Sequence, residues 1–292
     1  MISIIITSYN EPKTIGKAIS SFLNQRPKNF ELIITAPDKE TLEVARSFAK
    51  KNKKIKIIKD ERKGKPSALN NVFKIAKGDI LVLSDGDVFC SKNSLNLLIS
   101  KLSNPHVGGV SARVIPLNDK KTMFGFWAHL STLGFHNLRL RQSYKNENID
   151  CSGYLYAIKS GLVKEIPSEI LADDSFISKS IISFGLKTVY EPKAEVYVKY
   201  PTNLRDWVNQ KKRTTGKFYQ LKSFFQVSKA MSLAEEISSG LSTIKELKSI
   251  KHLFWFLFLV IMRAYIWFRI FFDRKLWKKP LLHTWTPIES TK

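Results

Sequence analysis

Short apolar segments with the composition of strands alternate with segments of helical periodicity from Ile2 to Leu83 of this 292-residue chain. The predicted strands are Ile2 to Thr7, Phe30 to Thr35, Ile55 to Lys59 and Ile80 to Leu83. The predicted helices between them are Glu11 to Leu23, Lys39 to Lys51 and Pro66 to Ala76. Strands separated by helices of this length form βαβ units, and such strands pair in parallel. The sequence therefore predicts an α/β fold built around a largely parallel sheet.

The middle of the chain adds three predicted strands and one ambiguous helix. The strands are Val107 to Pro116, Ile149 to Lys159 and Val189 to Tyr200, and the last of these segments also fits a hairpin. The segment from Met123 to Gln142 is rich in aromatic residues and has a basic end. Its composition fits a helix buried in the protein and a helix lying at a membrane interface equally well.

Two carboxylates follow the fourth strand directly, in the sequence Ser84-Asp85-Gly86-Asp87. Ligands of open α/β sheets bind just beyond the carboxyl ends of the strands. The glycine allows a sharp turn, so the two carboxylates can converge on one hard cation such as Mg²⁺ or Mn²⁺. A solvated turn is the alternative interpretation of this pair taken alone.

Four other polar segments have compositions suited to a nucleotide site. Thr7 to Pro12 follows the first strand and can stack a base and bond to its edge. Arg62 to Asn70 places cations and a glycine before a helix, a setting suited to phosphates, although a basic surface loop is the alternative. Asp173 and Asp174 precede an apolar helix, where either one can cap the helix or take part in chemistry. Gln210 to Gly216 offers further cations for a diphosphate.

The net charge of +23 calls for an anionic partner, either nucleic acid or an anionic membrane surface. The apolar run from Leu253 to Phe272 is long enough to cross a bilayer, although Arg263 and Arg269 interrupt it. The basic residues that flank this run are Lys248, Lys251, Arg274, Lys275, Lys278 and Lys279. Because these basic residues flank an apolar run, they favour a membrane surface over nucleic acid as the anionic partner. A spanning helix, an interfacial helix and a buried core helix are the three alternatives for the run.

The order of these motifs resembles the family 2 glycosyltransferases, a group with the GT-A fold. The similarity runs from Ile2 to about Phe218. Thr7 to Pro12 is similar to the opening nucleotide motif of the family, and Ser84 to Asp87 resembles its DxD motif. Lys65 and Asn70 fall where the family has its Gly-Lys…Leu-Asn element.

The second half of the resemblance concerns the acceptor side. Cys151 to Tyr154 resembles the Ser-Gly segment of the family, and Pro201 to Arg213 resembles the approach to its Gln-x-x-Arg-Trp motif. Asp173 and Asp174 resemble its Glu-Asp pair, which implies that Asp174 is the catalytic base.

The resemblance implies an inverting glycosyltransferase that uses Mg²⁺ or Mn²⁺. The implied metal ligands are Asp87 and Asp85, and the implied catalytic carboxylates are Asp174 and Asp173. The implied donor-binding residues are Thr7, Tyr9, Glu11, Asp38, Lys65, Asp85, Gln210 and Arg213. The expected partners are a nucleotide-sugar donor, a lipid-linked or saccharide acceptor and the cytoplasmic face of the membrane, with no nucleic acid.

Residues 1–218 are expected to form the catalytic domain, and residues 219–292 a C-terminal helical region with an apolar stretch at about 253–272. Two positions depart from the family pattern. Asp38 follows Thr35-Ala36-Pro37 in place of the usual Asp-Asp-Gly-Ser, and Thr214 replaces the tryptophan after Arg213. A nucleotidyltransferase of similar fold and a membrane-tethered nucleic-acid-binding protein are the alternative functions.

Overall fold

The computed structural model describes residues 1–221, 225, 233–275 and 288–291. The chain divides into two compact units. The first unit comprises Met1–Ile115 and Gln142–Val198 and contains the sheet, while the second comprises Pro116–Arg141 and Lys199–Thr291. Among the flanking basic residues, Lys278 and Lys279 lie outside the described residues.

The predicted elements from Ile2 to Leu83 are present in the predicted order with some shifts of boundary, whereas the strand Val88–Cys90 and the helix Ser94–Leu102, which follow the Asp85–Asp87 turn, were not predicted. The strands are β1 Ile2–Thr7, β2 Phe30–Ala36, β3 Ile55–Lys59, β4 Ile80–Asp85, β5 Val88–Cys90, β6 Val107–Pro116, β7 Leu155–Lys159 and β8 Lys187–Val198. The helices are α1 Ile15–Leu23, α2 Lys39–Ala49, α3 Lys65–Ile75, α4 Ser94–Leu102, α5 Met123–Tyr144, α6 Asp173–Ser183, α7 Leu204–Leu221, α8 Leu233–Leu241 and α9 Ile250–Lys275.

The strands form one sheet in the order β3-β2-β1-β4-β7-β6-β8-β5. The first four strands pair in parallel, whereas β7 runs antiparallel to both β4 and β6. Thr7 at the end of β1 lies in register with Thr35 of β2 and Asp85 of β4. The carboxyl ends of these three strands therefore place their polar residues side by side at one edge of the sheet.

The apolar strands are buried because helices cover the sheet. Ile4, Ile5 and Ile6 of β1 are fully buried, and Val82 of β4 is too. Consecutive buried residues mean that side chains on both faces of the strand are covered, as expected of a parallel sheet between helical layers. This packing fixes the strand ends that carry the polar residues.

One predicted strand is shorter than expected. The run predicted to begin at Ile149 becomes a strand only at Leu155. The backbone N–H groups just before it donate to side chains, Cys151 to Ser178, Ser152 to Ser111 and Gly153 to Asp174. These N–H groups are therefore not available for hydrogen bonds to a neighbouring strand, and the segment is an irregular loop.

The second unit has its own aromatic core. Trp127 of α5, Trp207 of α7 and Ile266 of α9 all belong to one buried cluster. The Trp127 indole N–H also donates to the carbonyl oxygen of Trp255 at 2.7 Å. The structure therefore buries part of α5 against α9. Within the part of the chain that the structure describes, Ile250–Asp273 is the one segment long and apolar enough to cross a membrane.

Candidate active site

The turn after β4 brings polar groups from two neighbouring strands together. The Thr7 hydroxyl donates to Asp85 Oδ1 at 3.3 Å, and the backbone N–H of Gly86 donates to the Thr7 carbonyl at 2.9 Å. A Cβ atom at Gly86 would lie 2.3 Å from Ser8 Oγ and 2.6 Å from Glu11 Oε2. Only glycine leaves room for these side chains against the turn.

Glu11 lies close enough to the two aspartates for their charges to act on it. The Ser8 hydroxyl donates to Glu11 Oε2 at 2.6 Å. Burial, together with the like charges of Asp87 and Asp85, raises the pKa of the Glu11 carboxyl well above its usual range. The turn therefore brings three carboxyl groups together, and the charged form of Glu11 is disfavoured there.

Lys65 joins this turn to the start of α6. It is the first residue of α3, where Gly64 precedes it with a φ of 95°. The Lys65 ammonium lies 2.7 Å from Asp85 Oδ1 and 3.3 Å from Asp173 Oδ2. Burial acts to lower the pKa of Lys65, but the charges of Asp173 and Asp85 outweigh it and raise the pKa. Lys65 therefore remains a cation between the two carboxylates.

Asp173 and Asp174 differ in exposure at the first turn of α6. Asp173 is buried and Asp174 is half-buried. The backbone N–H of Gly153 donates to Asp174 Oδ2 at 3.0 Å, and that of Ser175 donates to Oδ1 at 2.9 Å. The N-cap residue is Ala172, so neither aspartate is the N-cap that the sequence allowed.

Tyr156 of β7 belongs to the same cluster and was not predicted. Its hydroxyl is buried and has no hydrogen-bond partner among the described residues. Burial and the charges of Asp173 and Asp174 raise its pKa well above the usual range. Tyr156 stands in an ordinary apolar strand pattern, so no sequence signal marks it.

Asp38 and Tyr9 lie in the loops beside the strand ends. Asp38 caps α2 by accepting from the Thr41 backbone N–H at 2.9 Å, and its other oxygen accepts from the Asn10 N–H at 2.7 Å. Burial acts to raise the pKa of Asp38, but these hydrogen bonds lower it. The Arg62 guanidinium lies 5.8 Å from the centre of the Tyr9 ring. Asp38 thus holds the loop in which Tyr9 lies, and a direct role toward a nucleotide stays a prediction.

Gln210 and Arg213 are the two predicted donor-binding residues that lie on α7, in the second unit. Gln210 is buried and Arg213 is half-buried. Their contribution to donor binding stays a prediction.

The carboxylates of the turn fit a divalent cation as partial ligands. Asp85 and Asp87 stand two residues apart in one turn, and burial together with their charges raises the pKa of the neighbouring Glu11 carboxyl. Among the described residues, no group of three or more His, Cys, Asp or Glu side chains is arranged to hold a metal ion. Mg²⁺ is commonly held by one or two carboxylates together with substrate phosphates. Asp85 and Asp87 match that pattern of shared ligands.

Replacing Glu11 with glutamine is expected to stabilise the metal-free protein near neutral pH, because it removes a carboxyl group whose ionisation is disfavoured by burial and by the charges of Asp87 and Asp85. Glutamine can still accept the Ser8 hydroxyl. A carboxyl group whose pKa rises on folding contributes its stability fully below the unfolded pKa of 4.5 and loses it as pH rises through the folded value.

Urea unfolding in EDTA between about pH 4.5 and 8 measures this effect. The free energy of unfolding of the wild type should fall relative to that of the variant as pH rises, by about 1 kcal/mol or more. If the difference in free energy of unfolding between the wild type and the variant stayed constant across this pH range, the raised pKa of Glu11 beside Asp85 and Asp87 would be contradicted.

The sequence and the fold of this chain were compared with those of known proteins. The family model described as glycosyl transferase family 2 matches residues 3–166, more than half of the chain. A probable glycosyltransferase, YdaM of Bacillus subtilis, is 24% identical over 225 residues, which is 73% of this chain and 54% of that protein. The chain thus spans about half the length of that relative.

A second relative is the dolichyl N-acetyl-alpha-D-glucosaminyl phosphate 3-beta-D-2,3-diacetamido-2,3-dideoxy-beta-D-glucuronosyltransferase of Methanococcus voltae. It is 28% identical over 206 residues, 65% of this chain and 62% of that protein. Among solved structures, a mannosyltransferase of Pyrobaculum calidifontis in complex with GDP-Man and Mn²⁺ superposes with a TM-score of 0.67. That pair shares 19% identity and covers 95% of this chain and 87% of the other, which shows a common fold.

Proposed function

The chain belongs to glycosyl transferase family 2, and from that premise we propose that it moves a sugar from a nucleotide-diphosphate donor to an acceptor hydroxyl with inversion at the anomeric carbon. The glycosyltransferase class itself follows from the family match and the similar proteins. The glycosyltransferase class is therefore preferred to the two alternative functions, a nucleotidyltransferase and a nucleic-acid-binding protein. The observation that carries the finer proposal is the charge cluster in which Lys65 joins Asp85 to Asp173.

The donor diphosphate binds at the turn after β4. Asp87 and Asp85 hold Mg²⁺ or Mn²⁺, which supplies positive charge to the leaving diphosphate when it is bound. The Mn²⁺ in the Pyrobaculum calidifontis complex supports this choice of cofactor. Lys65 adds a fixed cation beside Asp85, because the charges of Asp173 and Asp85 raise its pKa and keep it charged.

The nucleoside is held by the loops at the strand ends. Thr7 positions Asp85 through its hydroxyl, and Tyr9 offers a ring on which a base can stack. Glu11 and Asp38 shape the loop between them, since both bond to Thr41, Glu11 through its backbone N–H and Asp38 through the Thr41 N–H.

Asp174 is the base that takes the proton from the acceptor hydroxyl. Its half-buried carboxylate is reachable, whereas Asp173 is buried and bound to Lys65. The Gly153 N–H fixes one oxygen of Asp174, and a Cβ at Gly153 would lie only 3.0 Å from that oxygen. Direct attack by the activated hydroxyl on the anomeric carbon inverts its configuration.

The acceptor is lipid-linked or a saccharide at the cytoplasmic face of the membrane. The Methanococcus voltae relative carries dolichyl N-acetyl-alpha-D-glucosaminyl phosphate, a lipid-linked sugar, in its name. The apolar helix α9 and the net charge of +23 suit an anionic cytoplasmic leaflet. In functional terms, residues 1–218 form the catalytic domain and residues 219–292 the membrane-associated region.

A donor panel tests the proposal. The purified full chain is incubated with individual nucleotide-diphosphate sugars in Mn²⁺, and release of free nucleoside diphosphate is measured. We expect release from one donor class above all others. A nucleotidyltransferase would release pyrophosphate from nucleoside triphosphates instead, and that result would overturn the proposal.

A further inference from the structure

Helix α9 has an inner face that is tied to the second unit. Leu259, Ile266 and Ile270 are 9%, 0% and 4% exposed and pack in the aromatic core. Arg263, also on α9, forms a two-pronged ion pair with Glu236 of α8. The inner face is therefore occupied by protein along most of the helix.

The outer face of α9 is apolar and exposed. Six large side chains recur there at helical spacing and are 36% to 67% exposed, namely Phe254, Leu257, Phe258, Ile261, Tyr265 and Phe268. Spacings of three and four residues place these six side chains on one stripe, here called the α9 stripe. So large a contiguous apolar surface marks a site of contact with another molecule or a membrane.

The charged groups on the inner face of α9 are inconsistent with a helix that crosses the bilayer. The Arg263–Glu236 pair and the Trp267 indole that donates to Glu236 at 2.8 Å lie midway along α9. Burial, together with the charge of Arg263, lowers the pKa of Lys211 of α7 to about 8. If α9 crossed the bilayer, α7 and α8 would carry these charges into hydrocarbon, where charged groups are costly.

Basic side chains line one margin of the α9 stripe. Lys251 and Arg269 are 18 positions apart, which is five turns at 3.6 residues per turn, so they lie on the same side of α9. The Lys251 ammonium lies over the Trp255 ring at 4.5 Å, and the Arg269 side chain, which lies 3.5 Å from Asp273, is 41% exposed. A stripe of apolar side chains beside cations is the pattern of a helix that lies in the headgroup region of an anionic leaflet.

We propose that α9 lies in the plane of an anionic lipid leaflet, with the α9 stripe inserted and the inner face held by the protein. Lys251 and Arg269 lie beside the α9 stripe, where they would contact anionic lipid headgroups at the depth of the helix axis. An apolar protein surface would offer these cations no such partner, so a lipid leaflet fits this face of the helix better. The proposal deepens the membrane association given above, but it concerns α9 alone. Its tests use no transfer activity, so they can fail independently of the proposed function.

Flotation with vesicles tests lipid binding. The full chain is mixed with vesicles of phosphatidylcholine alone or of phosphatidylcholine and phosphatidylglycerol in equal parts. We expect flotation with the anionic vesicles and a partition coefficient lower on the order of tenfold for Phe268→Ser. Phe184→Ser is the matched control, since Phe184 is 53% exposed but lies in the first unit at the end of α6. Equal losses in both variants, or no flotation of the wild type, would overturn the proposal.

Depth measurement separates the in-plane helix from a spanning one. Nitroxide labels are attached to Phe254→Cys, Ile261→Cys and Phe268→Cys variants, because both native cysteines are buried. An in-plane helix gives three similar, shallow depths. A spanning helix places the first and last labels roughly 21 Å apart along the bilayer normal at 1.5 Å per residue, and that result would contradict the proposal. A dimer that forms without lipid and dissociates in Phe268→Ser would contradict it as well.

Discussion

Replacing Asp87 with asparagine is expected to abolish sugar transfer, and EDTA is expected to abolish transfer by the wild type. Asparagine keeps the size of the side chain but removes the charge that a hard cation requires. A bound metal contributes several kcal/mol to the stabilisation of developing charge. Its loss corresponds to a decrease of roughly 10³-fold or more in kcat/KM at about 1.4 kcal/mol per tenfold.

The matched control for this change is Asp79→Asn. Asp79 precedes β4 as Asp87 follows it, so the two residues flank the same strand at opposite ends. The Asp79 side chain is 86% exposed and forms an ion pair with the amino group of Met1 at 2.6 Å. An exposed pair of this kind contributes little to stability. Full turnover of Asp87→Asn, or of the wild type in EDTA, would refute the role of the strand-end carboxylates.

Replacing Asp174 with asparagine is expected to stop transfer while leaving donor binding nearly intact. The proposed base acts on the acceptor hydroxyl, whereas the proposed donor site lies at Asp85, Asp87 and Lys65. Loss of general-base catalysis typically costs on the order of 10² to 10⁴ in rate. Calorimetric titration with the nucleoside diphosphate, alongside turnover, separates the two effects.

Asp173→Asn provides the comparison within the pair. Asp173 is buried and lies 3.3 Å from the Lys65 ammonium, so its replacement should disturb that cation and lower donor affinity. If Asp173→Asn were inactive with normal donor binding and Asp174→Asn were active, the roles of the two residues would be reversed.

Much of the first unit could be predicted from sequence because its signals are local. The strands β1 and β3 have the predicted ends, and β4 continues two residues beyond Leu83 to Asp85. The GT-A type of α/β fold is confirmed by the family match and by the superposed structure. The resemblance also brought Lys65, Asp85 and Asp173 into one site, which the observed ion pairs join.

Other features depend on contacts between distant segments and gave no sequence signal. The strand β5 and the helix α4 follow the Asp85–Asp87 turn and were not predicted; β5 is only three residues long and is held by pairing with β8. In the sequence, Arg263 interrupts an apolar run, which indicates only that placing its charge in a bilayer would cost free energy. Its partner Glu236 lies 27 positions away, on another helix. Tertiary packing alone brings such pairs together.

The configuration of the first-formed sugar tests the central claim most directly. The donor found by the panel is followed by proton NMR in Mg²⁺, which is diamagnetic, with water as the acceptor where no other is supplied, and the anomeric signal is read before the sugar equilibrates. Transfer with Asp174 as base predicts a first product of the anomeric configuration opposite to that of the donor, and none with Asp174→Asn. A first product that retains the donor configuration, or unchanged hydrolysis by Asp174→Asn, would contradict the account.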